Sequence, residues 1–163
     1  MNMTKMLVGL FAVASVFGFT MIGAAQTSNQ AVADEVIAIT KAQWAAEIKD
    51  PTNVAEQMKN LADDYTEFNG DFATRLEGKP LSMRLGEAFG GGTVKSVASE
   101  MANPKVQVYN GDVAILSYNF VGYTKDKDGK VEPTRAKSTR VYARQGGRWM
   151  LVHANFAPDP LPK

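Results

Sequence analysis

The chain has 163 residues, and its shortages exclude several classes of function. It contains no cysteine, which excludes disulfides, thiolate chemistry and cysteine-linked lipid anchors. His153 is its only histidine, so a zinc site built from histidine and cysteine ligands is not expected. The 18 Lys and Arg residues nearly balance the 17 Asp and Glu residues, which leaves no basic surplus to attract nucleic acid or an anionic membrane. We therefore expect no metal, no cofactor and no nucleic-acid partner.

The N-terminus carries the longest run without charge. One positive residue, Lys5, precedes twenty uncharged and mostly apolar residues, and polar residues follow after Ala25. This order is typical of a secretory signal, and cleavage sites fit after Ala25 and after Ala33. Twenty apolar residues also suffice to span a bilayer, so an uncleaved membrane anchor is the alternative. The expected location is periplasmic or secreted, with no membrane contact after cleavage.

The rest of the chain is long enough for one hydrophobic core and too short for two ordinary domains. We predict a signal peptide at residues 1–25, a flexible leader at residues 26–33 and a single domain at residues 34–163.

Helical patterns occupy the first part of this domain. Ile37, Trp44 and Ile48 share one face of a helix that Pro51 ends. Asn53 begins a capping-box pattern, and the apolar spacing up to Tyr65 predicts a second helix there. A tight hairpin turn is expected at Asn69-Gly70, and a short helix at residues 80–89.

Five strands are expected after Thr93, separated by turns at Asn103-Pro104, Asn110-Gly111, Asp128-Gly129 and Gly146-Gly147. Helices first and an antiparallel meander afterwards predict an α+β fold in which the helices cover one face of the sheet.

Two segments, NPKVQVYNGDVAILSY (103–118) and STRVYARQGGRWMLVHANFAP (138–158), resemble the nuclear transport factor 2-like superfamily, which includes the SnoaL-like proteins. The nearest resemblance is to the association (hub) domain of calcium/calmodulin-dependent protein kinase II and its bacterial stand-alone relatives. It implies a cone-shaped, curved antiparallel sheet wrapped on N-terminal helices, with a polar mouth. It also implies self-association, as a dimer or a ring.

The resemblance also points to residues of the implied pocket. Arg140 stands in the Thr-Arg-Val motif and His153 in the Trp-x-x-Val-His motif. The family pattern usually has a second histidine where this chain has Asn155, and an arginine where it has Asn119. These two differences weaken the prediction of an anion pocket of the hub type.

Alternation along the last strand predicts that Trp149, Leu151, His153 and Asn155 share one face, which would line the pocket. Arg140 shares a face with Tyr142. We expect its guanidinium either to form an ion pair with Asp63, Asp64 or Glu67, or to bind an anionic ligand. The residues predicted to bind a ligand are Arg140, His153, Asn155, Tyr118, Asn119, Tyr142, Trp149 and Tyr65.

The leading hypothesis is an exported, self-associating domain that binds a small polar or anionic organic molecule. The alternative is an isomerase, dehydratase or cyclase in which His153 or Asp64 moves a proton. In that case Asp64-Tyr65 would resemble the carboxylate and tyrosine of steroid isomerases. A third hypothesis is a purely structural assembly module whose cavity is filled by Trp149, Phe156 and Tyr118.

Overall fold

A long helix and a six-stranded sheet make up most of the structure, a computed structural model that describes the backbone of residues 16–159 and the side chains of residues 28–159. The helices are α1 (Val16–Lys49), α2 (Val54–Gln57) and α3 (Lys79–Gly90). The strands are β1 (Leu61–Asn69), β2 (Leu76–Glu77), β3 (Lys95–Tyr109), β4 (Val113–Lys125), β5 (Val131–Gln145) and β6 (Arg148–Pro158). None of the described helices is long and apolar enough to cross a membrane.

The strands form one curved sheet in the order β2-β1-β6-β5-β4-β3. All neighbouring strands are antiparallel except β1 and β6, which run parallel. The predicted α+β class, with a curved sheet on N-terminal helices, is confirmed.

The core lies between α1 and the face of the sheet that α1 covers, which we call the inner face. Val32, Val36, Thr40 and Trp44 are four residues apart and form the buried stripe of α1. The largest side chains that meet this stripe from the sheet are Leu116, Tyr118, Tyr142, Trp149 and Leu151. The opposite face of the sheet, the outer face, carries the alternate residues of the same strands.

One prediction about α1 is wrong. Residues 26–33 were expected to form a flexible leader, but they are helical, and Val32 belongs to the core. On the predicted apolar face, Trp44 is buried and Ile37 packs against the core, while Ile48, near the end of α1, is 37% exposed. The expected signal peptide falls mostly on residues 1–15, outside the described part of the chain.

The predicted second helix is also wrong over most of its length. Asn53 caps the start of α2 as expected, because its side-chain oxygen accepts a hydrogen bond from the Glu56 N–H at 3.2 Å. However, α2 ends at Gln57, and β1 follows from Leu61. Because β1 pairs with β6, its backbone groups bond to the sheet while Leu61 and Tyr65 are buried. Tertiary pairing overrides the local helical pattern there.

The predicted turns hold with two exceptions. Asn103-Pro104 does not separate two strands, since both residues lie within β3 at a break in its register. The predicted tight hairpin at Asn69-Gly70 is a longer loop, because β2 begins only at Leu76.

Candidate functional site

A β-bulge in β6 decides which residues reach the interior. Val141 of β5 pairs with His153, but the next residue, Tyr142, pairs with Leu151. Val152 is therefore an extra residue, and it reverses the alternation of side chains along β6.

The reversal divides the residues that were expected to line one pocket. Trp149 lies on the inner face before the bulge, with 1% of its surface exposed. After the bulge, Ala154 and Phe156 take the inner positions, opposite Arg140 and Ser138. The prediction that His153 and Asn155 share a face with Trp149 is wrong. Both lie on the outer face.

Arg140 is the buried charge of the inner face, with 4% of its surface exposed. Its Nε donates a hydrogen bond to the Tyr118 hydroxyl at 2.9 Å, and its Nη1 donates to Gln43 Oε1 at 2.6 Å. The guanidinium carbon lies 5.4 Å from the centre of the Phe156 ring. Helix α1 and the strands β4 and β6 thus hold this side chain of β5 in one orientation.

No carboxylate in the described part of the chain forms an ion pair with Arg140. Asp63 and Asp64, two of the predicted partners, are exposed. Burial disfavours the charged guanidinium, but the phenol groups of Tyr118, Tyr142 and Tyr65 outweigh burial, and the pKa of Arg140 is raised. Arg140 therefore stays protonated with neutral partners only.

Ser138 provides an unused hydroxyl beside this charge. It lies two residues before Arg140 on the inner face, opposite Tyr118 on β4, and 3% of its surface is exposed. Its Oγ is buried and has no hydrogen-bond partner. A buried hydroxyl without a partner is costly, so Ser138 leaves a hydrogen-bonding group unsatisfied beside the Arg140 charge.

Tyr65 and Glu67 form a second polar group on the inner face. The Tyr65 hydroxyl donates to one Glu67 oxygen at 2.6 Å, and Asn69 Nδ2 donates to the other at 2.9 Å. Burial, followed by the nearby Glu67 charge, raises the pKa of Tyr65 far above its ordinary value. The phenol therefore stays a neutral donor at any physiological pH.

This arrangement corrects the predicted Asp64-Tyr65 pair. In a strand, adjacent side chains point to opposite faces, so Asp64 is exposed while Tyr65 is buried. Glu67 is the carboxylate that meets the phenol. Sequence reasoning missed this pairing because it placed Tyr65 at the end of a helix and Glu67 beyond that helix. The spacing of two between Tyr65, Glu67 and Asn69 would have revealed it in a strand.

Tyr142 and Trp149, both predicted to bind a ligand, are core residues. The Tyr142 hydroxyl lies 2.8 Å from Thr40 Oγ1, which donates to the Val36 carbonyl at 2.9 Å. Trp149 lies under the Arg144 guanidinium, whose carbon is 4.7 Å from the ring centre. Both side chains are almost fully enclosed.

The outer face holds the other predicted residues. His153 Nδ1 lies 2.8 Å from Thr66 Oγ1, and the ring meets the edge of Phe68 at 6.1 Å between centres. Asn119 and Asn155 line a shallow concavity of about 400 Å³ further along the same face. The predicted set is therefore divided between two sides of the sheet. No group of three or more possible metal ligands occurs among the described residues.

Comparison with known families identifies one match over most of the chain. The family model of the calcium/calmodulin dependent protein kinase II association domain matches residues 32–160. The match begins at Val32, which is the first buried residue of the core along the described chain. It also covers residues 34–99, where the sequence alone showed only a similar architecture.

Curated relatives match over a shorter segment. Calcium/calmodulin-dependent protein kinase type II of Caenorhabditis briggsae is 28% identical over 72 residues, which are 44% of this chain and 14% of the relative. The Caenorhabditis elegans protein of the same name is 28% identical over 72 residues, which are 10% of its length. The chain therefore spans a small part of these curated relatives.

Solved structures share the fold. The association domain of the C. elegans kinase superimposes with a TM-score of 0.66 at 19% identity, over 80% of this chain and 98% of that domain. An association domain from Xanthomonas campestris gives 0.66 at 20% identity, over 77% and 86%. A ketosteroid isomerase-like protein from Parabacteroides distasonis gives 0.63 at 19% identity, over 76% and 85%.

Proposed function

Because the chain belongs to the calcium/calmodulin-dependent protein kinase II association domain family, we propose that it is a self-associating domain whose copies meet through the outer face of the sheet. The observation that carries this proposal is the absence of charge from the middle of that face. Three cross-strand pairs of β4 and β5 lie there: Val113 with Ala143, Ile115 with Val141, and Ser117 with Thr139.

An uncharged sheet surface of this kind favours contact with another protein surface. The centres of protein interfaces are depleted of charged residues, whereas a face that stays in water usually carries them. Each of the six side chains is only partly exposed, because the neighbouring side chains of the sheet cover one another. A second copy presents the same surface, so the pairing of two identical faces by a two-fold axis needs no further partner. A dimer is the simplest product, and a ring of dimers needs an additional contact.

Light scattering coupled to size-exclusion chromatography tests the proposal. We expect a mass at least twice that of the single chain, which falls to the monomer mass in a Val141→Lys variant. Val131→Lys is the matched control, since Val131 lies at the exposed start of the same strand. A monomer at every concentration, or an equal loss of mass in both variants, would contradict the outer face as the contact.

A second proposed activity is the binding of a small organic anion by Arg140. It is supported by the buried guanidinium without a carboxylate partner and by the unpaired Ser138 hydroxyl beside it. A carboxylate group would supply the charge and the acceptors that these two side chains lack.

Isothermal titration with a panel of short carboxylates tests this activity. Arg140→Gln should abolish binding, while Arg144→Gln, an exposed arginine four residues further along β5, should leave it unchanged. The matching neutral amides should not bind. Equal binding of acids and amides would refute an anion site, and no binding by any acid would favour a purely structural assembly domain.

Export is the third part of the proposed function. The uncharged run after Lys5, followed by small residues, supports a secretory signal. Mass spectrometry of the full chain expressed in bacteria should find a mature N-terminus at Gln26 or Asp34 in the periplasmic fraction. An intact Met1 in the membrane fraction would support the anchor instead, and an intact Met1 in the cytoplasm would exclude export.

A further inference from the structure

A groove of about 450 Å³ lies between α3 and β1, and Arg140 is not among the residues that line it. Leu85 and Phe89 of α3 form one wall, and Met58 and Leu76 contribute further apolar surface. Phe89 is 67% exposed, and it forms an apolar patch with the other apolar residues that line the groove. The groove thus offers a hydrophobic surface to a molecule from solution.

The charge in this groove is of one sign. Glu67 and Asp71 line it, and none of its ten lining residues is basic. Arg75 and Arg84 each adjoin a lining residue in sequence, but neither lines the groove, and Arg75 pairs with Glu77. A hydrophobic groove that contains carboxylates and no cation complements an apolar molecule with a positive group.

Glu67 is already oriented for such a contact. Tyr65 donates to one of its oxygens and Asn69 to the other, which fixes the plane of the carboxylate. An ionised carboxylate accepts about four hydrogen bonds, and these two donors occupy only part of that capacity. Each oxygen therefore keeps a free lone pair, while the side chain loses little further freedom on binding.

We propose that the groove binds a small organic cation that carries a hydrophobic substituent, with the cationic nitrogen at Glu67 and the substituent on Leu85 and Phe89. Aliphatic and aromatic amines are the chemical class. The charge of this ligand is opposite to that of the anion proposed for Arg140, so the two sites are chemically distinct.

Three probes that share a phenylethyl group and differ in charge test the charge requirement without any substitution. They are 2-phenylethylamine, its neutral analogue 2-phenylethanol and the anionic 3-phenylpropanoate, each titrated into the isotope-labelled protein at neutral pH. We expect the amine to shift the backbone amide signals of Leu85, Gly86 and Phe89. The alcohol should bind about tenfold more weakly, because its hydroxyl can donate to the carboxylate but lacks the positive charge of a close charge pair.

Two variants locate the charge. Glu67→Gln keeps the shape of the side chain and should reduce the affinity for the amine to that for the alcohol. Glu87→Gln is the matched control, because Glu87 is exposed on α3 and does not line the groove. Far-ultraviolet circular dichroism of each variant checks the fold, and the comparison of the three probes holds even if Glu67→Gln fails to fold.

Three results would overturn the proposal. They are equal affinity for the amine and the alcohol, unchanged amine binding in Glu67→Gln, and no shift of the groove signals at millimolar amine. Equal affinity would instead indicate an apolar contact surface, for example for a second copy of the chain. Loss of self-association in Val141→Lys without loss of amine binding would show that this site is independent of the proposed assembly.

Discussion

Replacement of Arg140 by methionine should change the stability of the domain little, although the residue is almost fully buried. Methionine has a similar length and no charge, so the variant removes a buried cation that has no carboxylate partner among the described residues. The desolvation penalty relieved by this change amounts to several kcal/mol, of order 3–5.

The loss of several favourable contacts opposes the relief of the desolvation penalty. The Tyr118 hydroxyl and the Gln43 oxygen lose their donor, at about 1–3 kcal/mol each. Loss of the guanidinium over the Phe156 ring costs about 0.5–2 kcal/mol. Gain and losses are of similar size, so we expect the free energy of unfolding to change by less than about 2 kcal/mol.

Urea unfolding followed by circular dichroism measures the change. Leu116→Ala is the matched comparison, because Leu116 pairs with Arg140 across β4 and β5 and is fully buried. That variant creates a cavity and should cost about 2–5 kcal/mol. A loss in Arg140→Met as large as that in Leu116→Ala would refute the reasoning, since it would show that the charge is well compensated in the folded chain.

Two further substitutions test the packing that positions the site. Gly90→Ala should destabilise the domain by about 1–3 kcal/mol, because a Cβ atom at Gly90 would overlap the Pro51 carbonyl oxygen; an unchanged urea midpoint would contradict this close approach. Thr40→Val removes the hydroxyl that meets the Tyr142 phenol and should cost about 1–3 kcal/mol in the same assay. A variant as stable as the parent would show that Tyr142 bonds elsewhere.

Much of the fold could be predicted from local patterns. The strands from β3 onward follow from their composition, and the turns at Asn110-Gly111 and Gly146-Gly147 follow from residues that adopt positive φ angles readily. The short helix α3 begins at Lys79, one residue before the proline that was expected at its first position. Each of these elements is determined by residues that are close in sequence. The α+β class and the resemblance to association domains were inferred from these elements.

The candidate site was less predictable, because each of its residues depends on a partner distant in sequence. Arg140 was expected to pair with a nearby carboxylate, whereas its partners are Tyr118 and Gln43. Glu67 was considered only as that partner, although it meets Tyr65 and Asn69 instead. Nothing in the local sequence around Arg140 indicates which distant side chains enclose it.

By itself, the sequence determined the class of fold, the strands of the second half, the lack of metal-binding chemistry based on cysteine and the importance of Arg140 as a charge on an apolar strand. Only the tertiary structure decided which face of the sheet each side chain takes. A single extra residue, Val152, moves His153 to the outer face, and the pairing of β1 with β6 turns a helical pattern into a strand. Both events depend on hydrogen bonds between strands, whose register is set by partners remote in the chain.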